Sequence, residues 1–343
     1  DEINTCIGCN QACLDHTFSL KITTCLVNPR ACHETEIVVA PTAAKKRIAV
    51  VGAGPAGLSF SVTAARRGHA VTLFEAGAEV GGQFNVAKQV PGKEEFHETI
   101  RYFRRQVELT GVDLRLNTRV DVAQLLAGGY DEVVLATGIV PRKPPIPGIG
   151  HEKVLGYLDV LRDKRPVGGR VAVIGAGGIG FDVSEYLTHE GVSGSQDADK
   201  FNREWGIDTA YRQAGGLMAA EVEASPREVF LLQRKQSKVG DGLGKTTGWI
   251  HRAGLISRQV KMIPAVSYER IDDDGLHVSI NGEPRLLPVD HVVVCAGQDP
   301  QRELQAGLEA AGMTVHLIGG ADEAAELDAK RAINQGVRLA TAV

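Results

Sequence analysis

Residues 48–75, IAVVGAGPAGLSFSVTAARRGHAVTLFE, read as an apolar strand, a glycine turn, a helix and a second strand that ends on an acid. Each part meets a demand that a dinucleotide makes on a fold. Gly52 permits the sharp turn off the strand, Gly54 lets the main chain approach a pyrophosphate, and Gly57 lets the helix pack on the sheet. The pyrophosphate then sits on free N–H groups at the helix N-terminus, where the helix dipole favours negative charge. Glu75 closes the unit. A carboxylate there accepts from both ribose hydroxyls and repels a 2′-phosphate, which suits FAD or NAD and not NADP. A glycine triplet alone says little in a chain with 40 glycines, but strand, helix and acid in this order outweigh an ordinary βαβ turn. Gly81, Gly82 and Gln83 add a second glycine turn, of the kind that returns over a pyrophosphate.

At 343 residues the chain has room for about two domains with full cores. Lys and Arg (38) are slightly outnumbered by Asp and Glu (42) and are scattered, so no basic stripe points to nucleic acid. No apolar run approaches the roughly 18 residues of a membrane span. The N-terminus lacks the basic region and apolar core of a signal peptide, and a cytoplasmic location is expected. The chain starts at Asp1 without Met and runs at once into cysteines, from which a missing upstream part is expected.

Cys6, Cys9, Cys13 and Cys25 form a C-x2-C-x3-C-x11-C array. Three thiolates on one short loop cap three corners of a cubane, and the fourth returns to close the cage. Zinc is the competing metal, but structural zinc usually takes its ligands as two separate C-x2-C knuckles. The spacing therefore favours [4Fe–4S], with main-chain N–H groups of Gly8, Asn10 and Gln11 available to the sulfurs. Cys32 is a rival for the fourth place, and otherwise a buried thiol. Cys295, in HVVVCAG, is core packing, and a four-cysteine set leaves no vacancy for His16 or His33.

Residues 85–112 read as polar and helical, with His97, Arg101, Arg104 and Arg105 on a solvated face; 113–120 alternate as a strand, and 131–138, DEVVLATG, form another. Pro141, Pro144, Pro145 and Pro147 then mark a linker. A second nucleotide unit opens at 170, RVAVIGAGGIGFDVSEYL, with Gly175, Gly177 and Gly180 in the earlier roles. Its next convincing strand, EVFLLQRK, ends on Gln233, Arg234 and Lys235 where the first unit has an acid. Cations in that place hold a 2′-phosphate, which favours NADPH. The rival reading is a solvated strand end, and SGSQDADKFNREWG reads as an inserted polar loop. Lys238, Lys245 and Trp249 are candidates to close over the nucleotide; His251, beside Arg252, reads as a surface residue. A hairpin is expected around Asp274 and Gly275. HVVVCAG, 291–297, and the following strand, glycine turn and long helix are expected back in the first domain, the helix starting near Ala324 with its positive end toward the flavin.

Two nested nucleotide folds, with ATG at 136–138 and CAG at 295–297 as crossover turns, resemble the pyridine-nucleotide-linked flavoproteins of the glutathione-reductase type. Together with CIGCNQACLD, TTCLVNPRAC and LLQRK followed by GLGKTTGWIH, they resemble the C-terminal half of the bacterial NADPH-dependent 2,4-dienoyl-CoA reductases. The expected fold is α/β: two Rossmann-like domains, the second inserted into the first, behind an N-terminal iron–sulfur segment. The boundaries expected are 1–44 for the cluster segment, 45–140 and 290–343 for FAD, and 141–289 for NADPH. The resemblance implies that Cys6, Cys9, Cys13 and Cys25 ligate [4Fe–4S]. Beyond the glycines and charges already named, cofactor contacts are expected at Ala56, Ala76, Gly82, Gln83 and Lys93. Val120, the turn Ala136, Thr137 and Gly138, and Gly297, Gly320 and Ala321 complete the expected set.

The family relay runs from NADPH through FAD and the cluster to FMN on a (β/α)8 barrel, which also carries the dienoyl-CoA pocket and is absent here. No proton-transfer residue is expected in this chain. A dithiol mechanism is excluded by the lack of a C-x4-C pair after the first helix. Two other readings compete: an amine-dehydrogenase module holding structural ADP, and a standalone NADPH-linked donor like the glutamate synthase small subunit.

Overall fold

The computed structural model describes residues 2–325 and 327–343. The chain folds as two compact units. The first takes the residues up to Asn85, then Glu95–Val140 and Gly297–Val343; the second takes Val86–Glu94 and Pro141–Ala296.

The first unit is built on a five-stranded parallel sheet in the order Thr314–Leu317, Glu132–Leu135, Arg47–Val51, Ala70–Phe74, Asp113–Arg115. Ile48, Ala49 and Val50 are fully buried, because helices and loops cover both faces of a parallel sheet. On one face the helices Pro55–Arg66 and Ala329–Ala342 meet closely. Gly336 allows the approach, since a Cβ there would strike Ser59 Oγ; that hydroxyl donates to the carbonyl of Ile333 at 3.2 Å. On the other face Ala49, Phe74, Val120, Leu125, Val133, Leu135 and Leu308 form a second cluster.

The second unit repeats the plan. Its parallel sheet runs Val154–Gly156, His291–Val294, Arg170–Ile174, Glu228–Leu232, Lys261–Ile263. In both units the glycine-turn strand has its sequence successor on one side and a late strand on the other, which makes a switch point at their C-terminal ends. A three-stranded antiparallel meander, Val266–Asp272, Gly275–Ile280 and Glu283–Leu287, is added before the late strand. The α/β class and the nesting of one dinucleotide fold inside another are as expected.

Several details differ from the sequence reading. His291–Val294 belongs to the second sheet, paired in register with Arg170–Ile174, and the chain returns to the first unit at Gly297. The strand expected over 113–120 stops at Arg115: Asn117 takes φ +50°, and Asn117 and Thr118 donate to the carbonyls of Gly77 and Glu75 instead. Helix in 85–112 is confined mainly to Phe96–Thr110, closed by left-handed Gly111. Arg101 and Arg105 there pair with Glu98 and Glu108 one turn away. The inserted segment is not all loop. Asp197 caps a helix, Ala198–Trp205, on Lys200 N, and left-handed Gly206 ends it. The last helix begins at Ala329, not near Ala324, with Asp328 accepting from the N–H groups of Lys330 and Arg331. That carboxylate occupies the positive helix end expected to face a flavin.

Candidate functional site: two glycine turns and a cysteine segment

The first turn is set by a main-chain bond across the sheet. Gly52 N–H donates to the carbonyl of Phe74 at 2.8 Å, so Glu75, the next residue, lands beside the turn. Its carboxylate accepts from Ala53 N–H at 2.8 Å and from Gly77 N–H at 2.7 Å. Each oxygen retains acceptor capacity for a ribose hydroxyl. A Cβ on Gly57 would collide with the carbonyl of Gly52, and one on Gly52 with that of Ala136. The two strand ends at the switch point are therefore in contact through main chain alone.

Around that turn gather most of the residues expected to touch a cofactor. Gly82, with φ +52°, lies against Gly54, where an added Cβ would come within 2.8 Å of its Cα, and Gly81 N–H donates to the carbonyl of Ala53. Gly319 meets the Cβ of Ala56, and Gly320 meets Gly138 and Ile139. Thr137 Oγ1 donates to the carbonyl of Gln301 at 2.5 Å, while Arg302 Nε donates to the carbonyl of Ala321. Helix Pro55–Arg66 starts at N-cap Gly54 with no side-chain cap, so its first N–H groups remain open to an anion. Gln83 is half-buried, Gly297 takes φ +94°, Ala76 is exposed and Val120 is buried in the cluster with Phe74. A pyrophosphate-bearing flavin fits this cradle: bare main chain, open N–H groups and a carboxylate at the strand end.

The second turn copies the first. Gly175 N–H donates to the carbonyl of Leu232 at 3.0 Å. A Cβ on Gly180 would strike the carbonyl of Gly175, and one on Gly175 that of Cys295. Gly177 is the uncapped start of helix Gly178–Leu187. The residues landing beside this turn are Gln233, Arg234 and Lys235, and both cations are exposed. Lys238 and Lys245 are exposed on the loop that follows, and Trp249, 64% exposed, lies on helix Gly248–Ser257. Cys295 is buried, which pushes its thiol far up, and His251 is exposed, both as the sequence suggested.

Lys93 lies in the second unit, its ammonium on Asp182 at 2.6 Å. Asp182 is a residue that sequence reasoning misses; the available signal is a pair of acids, Asp182 and Glu185, in the glycine-turn helix. One turn on, burial pushes the Glu185 carboxyl up to about 7 against the pull of Arg258. His189 Nδ1 stands 3.5 Å from that carboxylate, and Arg258 bonds Glu204 of the inserted helix at 3.2 Å.

In the cysteine segment, Ala12, Leu26 and Val27 are buried in the first unit's core, with Cys9 and Cys25 packed against it. Gly8 N–H points to Cys6 Sγ at 3.4 Å. Burial raises the Cys9 thiol, a main-chain bond from Gln11 lowers it, and Cys13, Cys25 and Cys6 raise it further. The three thiols that bear on Cys9 are those of the expected set. They do not form a closed tetrahedral cage. Thiolates on one zinc stand ~3.8 Å apart, whereas the group of three ligand residues with all donor atoms within 4.8 Å, among the described residues, is Asp272, Asp274 and His277. That trio is a turn: Asp272 pairs with Arg270 and His277, which hold it down to about 2. Cys32 is exposed, with its N–H on Glu34. His16 and His33 bond Ile22 and Glu36.

The two turns define a nested dinucleotide-binding oxidoreductase. The chain belongs to the pyridine nucleotide-disulphide oxidoreductase family, whose model matches residues 46–325, and as such is an FAD- and NAD(P)H-binding module. It is 31% identical over 332 residues to a metal reductase of Desulforamulus reducens, covering 94% of this chain and 48% of that protein. A bilirubin reductase of Mediterraneibacter gnavus is 30% identical, over 97% of this chain and 46% of its own length. A solved 2-naphthoyl-CoA reductase in complex with 2-naphthoyl-CoA superposes on the whole chain with TM-score 0.84 at 28% identity, over 47% of that chain. The chain thus spans about half the length of the relatives it matches. No helix among the described residues is long and apolar enough to cross a membrane.

The position of Glu185 makes stability depend on pH. A carboxyl whose folded pKa is raised above its unfolded value contributes stability that is full below the unfolded pKa and lost as pH rises through the folded one. Between about pH 4.5 and 7 this group therefore lowers stability as pH rises. Glu185→Gln should flatten that slope and raise stability at pH 8 by on the order of 1–3 kcal/mol, read from urea midpoints at pH 5, 7 and 8. An unchanged slope would place the carboxyl in an ordinary, solvated environment.

Proposed function

We propose that this chain is the electron-input module of a reductase of the 2,4-dienoyl-CoA type, oxidising NADPH and supplying electrons to an FMN-bearing barrel of the intact enzyme. The observation that carries the reading is the change of charge past the neighbouring strand: Glu75 directly follows Phe74 in the first unit, whereas Gln233 follows Leu232 in the second with Arg234 and Lys235 next along the chain. A carboxylate beside the first turn suits the plain ribose of FAD, and a guanidinium with an ammonium beside the second suits a 2′-phosphate. An intact second glycine turn also weighs against a module that carries ADP only as a structural ligand.

The residues that hold FAD in this reading are the first-turn glycines with Ala56, Gly82, Glu75 and the 136–138 turn. Gly175, Gly177, Gly180, Arg234 and Lys235 hold NADPH, with Lys238 and Trp249 next along the chain. FAD, when bound, supplies a centre that accepts a hydride and releases electrons singly. This chain's own part is to hold, orient and screen. Cys6, Cys9, Cys13 and Cys25 are assigned to [4Fe–4S], supported by the thiol donor set, the N–H from Gly8 and their mutual proximity to Cys9. A substrate of the unsaturated acyl-CoA class is supported by the likeness to a 2-naphthoyl-CoA reductase.

Mixed anaerobically with the flavin-loaded protein, NADPH should bleach the flavin band at least about tenfold faster than NADH. Arg234→Ala with Lys235→Ala should bring the two rates to within about threefold. Equal rates in the parent would refute the assignment of the cations. Independently, Cys9→Ser should lower iron and sulfide per chain while FAD content holds; unchanged iron would remove Cys9 from the ligand set.

A further inference from the structure

A cavity of about 250 Å³ lies in the first unit, away from its glycine turn, between the cysteine segment and the last helix. Lys330 and Arg338 stand two turns apart on that helix with Arg331 next to the first, and His16, Cys25 and His33 line the opposite wall. Among the described residues no carboxylate contributes to the lining. Acids border it: Glu36 Oε2 accepts from Arg338 at 3.4 Å and lies 3.1 Å from His33 Nδ1, Glu323 pairs with Arg331 at 3.5 Å, and Asp328 accepts from the main-chain N–H groups of Lys330 and Arg331.

The Lys330 ammonium is the most exacting group here. Its Nζ lies 3.2 Å from His16 Nε2, and His16 Nδ1 lies 2.9 Å from the carbonyl of Ile22. A carbonyl only accepts, so Nδ1 carries the hydrogen and Nε2 accepts from the ammonium. The lysine is thus turned onto a neutral ring, with no ion-pair partner among the described residues, inside a wall that already holds two guanidinium groups. The two guanidinium groups have acids of their own, Arg331 with Glu323 and Arg338 with Glu36, so the ammonium of Lys330 is the cation of this wall left without a carboxylate among the described residues.

We propose that this cavity is a binding site for a small tetrahedral oxyanion, with phosphate as the reference ligand, held by Lys330 and Arg338. Charge selects the class: ammonium and guanidinium groups converging from one helix match phosphate oxygens, and among the described residues no acid lines the cavity to repel them. The site borders Cys25, so its occupancy sets a negative charge beside the metal-binding segment. The assignment does not depend on which metal or substrate the chain uses.

Titration calorimetry of the cofactor-loaded protein with inorganic phosphate, at constant ionic strength in chloride, tests this directly. One saturable site per chain is expected. Lys330→Gln and Arg338→Gln should each weaken it by about tenfold or more, and Lys330→Arg should keep it within about threefold. A second reading needs no variant: phosphate should raise the parent's melting temperature beyond an equal ionic strength of chloride. Absence of saturable binding, glutamine variants that bind like the parent, or equal stabilisation by chloride would each overturn the proposal.

Discussion

One main-chain hydrogen bond, made twice, controls what this chain can hold. In each unit the N–H of the first turn glycine is bound to the last carbonyl of the neighbouring strand, Gly52 to Phe74 and Gly175 to Leu232. Parallel register leaves the next residue of that neighbour no choice of place: it emerges beside the turn, at the sheet's C-terminal edge. Because the two units share strand order and turn geometry, the difference between them at this edge is one of side-chain charge. Glu75 occupies that place in the first unit and Gln233 in the second, where Arg234 and Lys235 come next.

The glycine turns were legible in the sequence because sterics leave no alternative. A Cβ at Gly57 or Gly180 would run into the carbonyl of the preceding turn glycine, so the spacing is a direct print of the fold. The nesting was legible for a related reason, since small-residue turns after 132–135 and 291–294 must touch Gly52 and Gly175. What failed were boundaries decided by tertiary contacts. The strand over 113–120 breaks early because Asn117 and Thr118 satisfy Gly77 and Glu75, a demand invisible to alternation. His291–Val294 looks like the strand 132–135 in sequence, and it plays that strand's part in the other sheet.

The site was legible unevenly. Arg234 and Lys235 could be found because their place is fixed by the strand before them. Asp182 and Glu185 could not, since acids in a glycine-turn helix carry no sign of the lysine that pairs with the first or of the burial that shifts the second. The start of the last helix was set by Asp328, five residues beyond the expected point, and its carboxylate alters the electrostatics at that helix end. In the cysteine segment the spacing is legible in sequence, and folding adds that Cys9 and Cys25 are packed on the first unit's core.

The central claim is that charge beside the second turn recognises a 2′-phosphate. Binding of 2′,5′-ADP and of 5′-ADP to the flavin-loaded protein, compared by calorimetry at low and high salt, tests it most directly. The account predicts one site per chain that prefers 2′,5′-ADP by at least about tenfold, with the preference shrinking as salt screens the exposed cations. Equal affinity for the two ligands at low salt would contradict it.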